Sequence, residues 1–291
     1  MKNLEQKLFP YLMLLPAMVI FGLFLFYPAI NGLWIAFHRW DGLNPMTFIG
    51  IDNFTRMLND RHFIGAFRGT MVFAAIAVPS IYIASLMLGL LLTRRIKGIN
   101  FFRAAFFWPT MVSAIIAGLS WRFILSESFG LANFAVTSLG YEPIRWLTNS
   151  NWALFVVIFV TVWSLAGYYM VMMIAGLKAI DETYYEAADI DGASFWQQFF
   201  YITMPLLRPT SLLVLVLSTV AVVRTFPLVV ALTGGGPAGA TRFMVQMIME
   251  TGFDRGQMGY ASAMAVVLFV ILAILTIVQF RANRGGGQDA N

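Results

Sequence analysis

Long charge-free apolar runs, separated by short polar stretches, set the pattern of this chain. The runs cover 8–37, 69–93, 104–121, 146–177 and 256–280. A Lys, Arg or Asp at the centre of a membrane-crossing helix costs roughly 2.5–3.5 kcal/mol, so such runs mark crossings. Each holds the ~20 apolar residues needed to span a ~30 Å hydrocarbon layer. A sixth candidate, 210–232, is interrupted by Arg224. The pattern predicts an all-α membrane protein with six transmembrane helices, over about 10–37, 69–93, 104–125, 152–177, 210–232 and 258–281. One transmembrane domain over 1–284 is expected, followed by a disordered tail, 285–291. The first run exceeds the 7–15-residue core of a signal peptide and is expected to stay as a helix. Pro16 and Pro28 fall in the first span, Pro79 in the second and Pro109 in the third. Membrane helices tolerate such kinks where neighbours re-satisfy the freed carbonyls.

Composition agrees with a lipid environment. Of 291 residues, 59% are hydrophobic and only 11% charged. The net charge of +5 comes from 19 Lys and Arg spread thinly along the chain, which leaves no nucleic-acid-sized patch. With no cysteine, disulfides, thiolate metal sites and Cys nucleophiles are excluded. The two histidines, His38 and His62, cannot build a three-ligand zinc site without carboxylate help. A membrane enzyme is disfavoured too, since both lie in one outer loop with no Ser or Cys framework, where solvation is the usual state of a histidine.

Six spans put both termini on one side. That side carries ten basic residues, Lys2, Lys7, Arg94, Arg95, Lys97, Arg103, Lys178, Arg208, Arg281 and Arg284. The other carries eight, Arg39, Arg56, Arg61, Arg68, Arg122, Arg145, Arg242 and Arg255. The short 94–103 loop, with four basic residues and no acid, tips the orientation towards cytoplasmic termini.

Residues 178–209 form the longest loop on that side, and it reads as helix, turn, helix. Asp181 N-caps the first helix, and Gly192 permits the turn. Ser194 and Gln197 form an S-x-x-Q capping box for a second helix bearing Phe195, Trp196, Phe199 and Phe200. Pro205 and Pro209 are expected to end it. The pattern fits either an interfacial hairpin on lipid headgroups or a knob that docks into another protein.

Glu186-Ala187-Ala188, then Gly192 and Ile202-x-Met204-Pro205, resembles the EAA loop of ABC importer permeases, EAA-x3-G-x9-I-x-L-P, with Met for the usual Leu. Leu177-Lys178-Ala179-Ile180, Asp191-Gly192-Ala193 and Leu232-Thr233-Gly234-Gly235-Gly236-Pro237 are similar to the carbohydrate-uptake branch, of the maltose- and glycerol-phosphate-type first permease. The resemblance implies the transmembrane domain of a type I ABC importer, multi-pass in the bacterial cytoplasmic (inner) membrane. Its coupling helix, carried by Glu186, Ala187, Ala188, Gly192, Ile202 and Pro205, would sit in a groove of an ATPase. The implied partners are a second permease, two ATPase subunits, a soluble binding protein, a sugar or glycoside and membrane lipid, with no nucleic acid. ATP and Mg would bind the ATPases, and this chain would bind no cofactor. It contains no G-x-x-x-x-G-K-[ST], so hydrolysis needs another chain.

The family's sugar-contact positions fall at Leu165, Ala166, Tyr169, Ala221 and Thr225. Of these only Tyr169 and Thr225 offer groups suited to a hydroxylated ring. Arg224 joins the implied substrate path with two open readings, a pair with the partner permease or a contact with a polar or anionic substrate. An ATPase-independent secondary transporter is the alternative; it predicts internal repeats and paired intramembrane charges.

Overall fold

The computed structural model describes residues 2–94 and 97–284. Arg95 and the 285–291 tail lie outside the described residues. Four helical segments, Tyr11–Ile35, Arg61–Thr93, Ser150–Lys178 and Met258–Ala282, are each long and apolar enough to cross a membrane. Two bent pairs raise the number to six if each counts as one span: Ile99–Met111 with Ala114–Ile124, bent by 98°, and Phe195–Leu206 with Arg208–Val223, bent by 68°. The chain divides into two compact units, Met1–Ile64 with Met247–Val270, and Gly65–Gln246 with Ile271–Asn291.

In the first unit, α1 (Lys2–Phe21) runs through a π turn at Gly22–Phe26 into α2 (Tyr27–Ile35). None of the apolar stretch of Tyr11–Ile35 is buried within the chain, so lipid or another subunit must cover it. A two-stranded hairpin follows, β1 (His38–Arg39) against β2 (Thr47–Phe48), then α3 (Asp52–Asn59). The buried Asn53 carboxamide donates to the carbonyls of Ala36 at 2.8 Å and His38 at 3.0 Å, pinning the hairpin to α3. His38 is buried, not solvated, with its ring Nδ1 at 2.9 Å from the Trp34 carbonyl. Asp41 accepts from the amides of Leu43 and Asn44, and these bonds hold its carboxyl down at about 2. Burial pushes the Asp60 carboxyl up, but the Tyr260 hydroxyl and the amides of His62 and Phe63 outweigh it and hold it below its ordinary value.

The second unit holds the main core. Its centre is Phe73, Ala77 and Ile81 of α4 (Arg61–Thr93), Val157, Val160 and Met173 of α8 (Ser150–Lys178), and Val214 and Val222 of α12 (Arg208–Val223). Two close helix crossings depend on glycine. A Cβ at Gly167 of α8 would overlap the Phe106 carbonyl oxygen of α5 (Ile99–Phe107). One at Gly118 of α6 (Ala114–Ile124) would lie 2.7 Å from the Leu228 carbonyl oxygen of α13 (Phe226–Thr233). Between α6 and α8, α7 (Leu131–Ser138) is fixed by Asn133, which is buried and exchanges bonds with the Ile144 backbone and the Trp146 indole. Asn133→Ala leaves those partners unmet, and a loss of about 1–3 kcal/mol is expected. A thermal unfolding midpoint unchanged from wild type in detergent would contradict that.

Two expected spans are not continuous helices. Over 104–125, α5 passes into a 3₁₀ turn at Trp108–Met111, the chain extends at Val112 (ψ 131°), and α6 restarts at Ala114. Pro109, the second residue of the 3₁₀ turn, lacks the amide that would continue the α-helical ladder. Over 210–232, α12 ends at Val223 and α13 starts at Phe226. Pro227 accounts for this break, because its ring would clash with the carbonyl of residue 223. Arg224 therefore stands at the end of a helix and is exposed, not enclosed within a regular turn. Beyond α13, Gly234 terminates the helix in the left-handed region, and the loop is tied by Thr241 donating to the Gly236 carbonyl at 2.7 Å. The chain closes with α14 (Met244–Met249) and α15 (Met258–Arg284).

Candidate functional site

The 181–206 segment is built as its sequence predicts. Asp181 caps α9 (Glu182–Ile190) by accepting from the Thr183 amide at 3.0 Å and hydroxyl at 2.9 Å, bonds that lower its carboxyl pKa. Gly192 ends α9 at φ +75°. Its amide donates to Asp189 O at 3.1 Å and the Ala193 amide to Ala188 O at 2.9 Å, a Schellman closure that a Cβ-bearing residue strains. Ser194 and Gln197 then form both bonds of the capping box at the start of α10 (Phe195–Gln198).

Two side-chain ties make the hairpin a single body. Gln198 donates to the Asp189 carboxylate at 2.5 Å, and the hydroxyls of Tyr185 and Thr203 lie 2.9 Å apart. Glu186, Ala187 and Gly192 are exposed, Ala188, Ile202 and Pro205 half-buried. Trp196 at 65% exposure, Tyr201 at 80% and Ile190 at 87% share the hairpin surface with the exposed carboxylates of Glu182, Glu186, Asp189 and Asp191. One expectation is corrected. Pro205 does not end the second helix, because a π turn at Phe199–Thr203 precedes it and helix continues through α11 (Met204–Leu206) to a break at Leu207. Pro209 stands in the first turn of α12, where a proline costs no hydrogen bond.

The second feature is a cavity of about 280 Å³ inside the larger unit. Both helix breaks line it. Pro109, Thr110, Val112 and Ala114 come from the first, and Ala221, Thr225 and Leu228 from the second. Thr161, Ser164 and Leu165 of α8 supply the remaining wall. Non-helical backbone at membrane depth is tolerated where it lines such a space. The lining is hydroxyl-rich and uncharged. Thr110, Thr161 and Thr225 each donate to a carbonyl three or four residues back, at 2.8, 2.7 and 3.0 Å, and Thr161 is fully buried. The Ser164 hydroxyl oxygen is buried with no partner.

Of the residues expected along a substrate path, Leu165, Ala221 and Thr225 line this cavity. Ala166 and Tyr169 are buried, Tyr169 in the hydrophobic core at 3% exposure, and neither lines it. Arg224 is exposed and also absent from the lining. Sequence reasoning missed Thr110, Thr161 and Ser164. The spacing of 161, 164 and 165 puts them on one helical face, a signal available from the sequence.

A model of the binding-protein-dependent transport system inner membrane component family matches residues 61–285. This chain belongs to that family. The permease is 34% identical over 285 residues to the trehalose/maltose transport system permease protein MalF of Thermococcus litoralis, covering 98% of this chain and 96% of the relative. It is 35% identical over 280 residues to the sn-glycerol-3-phosphate transport system permease protein UgpA of Brucella abortus, covering 95% and 94%. Among solved structures, a chain of a bacterial alginate ABC transporter in complex with an alginate pentasaccharide-bound periplasmic protein superposes with a TM-score of 0.85. That match covers 99% of the permease and 98% of the neighbour at 24% identity, and shows the shared fold.

Proposed function

We propose that this permease forms half of the translocation path of an ABC importer for a neutral sugar or glycoside, driven by ATP hydrolysis on a partner subunit. The observation that carries the reading is the 181–206 hairpin, capped at both helices and tied across by Gln198 and Tyr185. A body this rigid transmits displacement, where a flexible loop would absorb it. Its exposed aromatic and acidic surface suits a groove on an ATPase, and Glu186 offers a carboxylate to a basic residue there. The assembly comprises a second permease, two ATPases holding ATP and Mg, and a soluble binding protein, with both termini of this chain cytoplasmic.

The cavity supports the substrate class. Hydroxyl acceptors at Thr110 and Thr225, with the unpartnered Ser164, suit the hydroxyl donors of a sugar. Among the described residues no charged side chain lines it, which favours a neutral ligand over an anion. The two helix breaks supply hinges beside the ligand, so movement at the hairpin is felt at the cavity wall through α12.

The test is an assembly purified through a tag on this chain and reconstituted in liposomes. A second permease and two ATPase subunits are expected to copurify, and uptake to require ATP and the binding protein. Ser164→Phe, which fills the cavity, is expected to reduce uptake at least tenfold without lowering complex yield. Uptake by this chain alone, or uptake that follows the proton gradient and not ATP, would instead support a secondary transporter.

A further inference from the structure

We propose that a second cavity, beside the start of α12, binds the headgroup of an anionic, hydroxyl-bearing phospholipid of the phosphatidylglycerol class. This cavity holds about 390 Å³ and lies wholly within the larger unit. Arg208, the first residue of α12, and Ala282, the last residue of the α15 span, both line it. It therefore sits at the ends of membrane-crossing segments, the level occupied by headgroups.

Its lining is amphipathic. Phe200, Met204, Leu212 and Leu215 present an apolar wall suited to an acyl chain and wasted on a small soluble anion. Against that wall stand Arg208, Ser211, Tyr82 and Gln279. A guanidinium matches phosphate in a two-pronged arrangement. The hydroxyls of Tyr82 and Ser211 lie 3.0 Å apart; whichever donates, the other keeps a proton to give to a phosphate oxygen. Gln279 donates its amide to Thr219 at 3.0 Å, while its carbonyl oxygen is buried without a partner. That acceptor calls for a donor. The glycerol hydroxyls of phosphatidylglycerol provide one, whereas a choline headgroup has no hydroxyl and places a cation near Arg208. Phe200 and Met204 belong to the C-terminal half of the hairpin, next to α12, so a bound lipid would brace that half.

The experiment uses the full chain, delipidated in detergent and reinserted into nanodiscs of equimolar phosphatidylglycerol and phosphatidylcholine. Lipid retained on re-extraction is read by native mass spectrometry. Wild type is expected to retain phosphatidylglycerol preferentially, and Arg208→Gln to lose about fivefold of that preference, the worth of one basic residue near an anionic headgroup. Leu212→Trp, which fills the apolar wall, is expected to lower retention of both lipids. Sn-glycerol 3-phosphate added as a soluble competitor is expected to displace nothing. Unchanged preference in Arg208→Gln, or displacement by the soluble phosphate, would overturn the proposal. Should Arg208→Gln not be monodisperse, Leu212→Trp decides: retention equal to wild type overturns it.

Discussion

Gly167→Val is expected to yield little monodisperse protein and to cost more than about 3 kcal/mol of stability, the upper range for overpacking a well-filled core. The reason is what surrounds the missing side chain. A Cβ there would overlap the Phe106 carbonyl oxygen and lie 2.9 Å from the Phe106 carbonyl carbon and 3.0 Å from Phe107 Cα. These are backbone atoms, so no rotamer change relieves them and α5 must move away from α8. That displacement would propagate into the bend at Val112 and the cavity beyond it. With total stabilities of about 5–15 kcal/mol, such a loss removes much of the margin. Size-exclusion profile and thermal midpoint in detergent check this. Gly32→Val, at a helical position with nothing within 4 Å, is the matched control. A Gly167→Val midpoint equal to that control would show that the crossing yields at no cost.

Glu186→Lys and Gly192→Val are expected to lower substrate-stimulated ATP hydrolysis of the reconstituted assembly at least tenfold while the chain remains folded in the membrane. Reversing an interfacial charge that faces a basic partner costs about 2–5 kcal/mol when the pair is desolvated, more than enough for a tenfold loss. Gly192 acts differently. At φ +75° a β-branched side chain costs roughly 1–2 kcal/mol and loosens the closure that sets the angle between the two short helices. Open space surrounds its Cβ position, so the defect is one of backbone conformation alone. Stimulated hydrolysis at the wild-type level in both variants would leave the hairpin as a surface feature with no part in coupling.

The features legible in the sequence are those set by composition or by neighbours a few residues apart. Transfer into hydrocarbon sums over single residues, so five apolar stretches stand out as charge-free runs and a sixth as a run interrupted by Arg224. The caps at Asp181 and Ser194, and the Gly192 turn, join groups two to five residues apart, and each formed as its residues dictate. Pro227 carried the signal for the break at Arg224, because its steric conflict with residue 223 is local.

Tertiary structure decided where those pieces meet. Thr110, Thr161, Ser164 and Thr225 come from three separate stretches of chain and acquire a common role only when the two breaks are brought against α8. Tyr169, a side chain suited by type to a hydroxylated ring, lies in the core, because position around a helix axis and the packing of α8 settle its surroundings. The same holds for the tie between Tyr185 and Thr203 and for the lipid-sized space beside Arg208. Short-range chemistry specifies elements and their ends. Cavities are the spaces that packing between distant elements leaves unfilled, and no local rule encodes them.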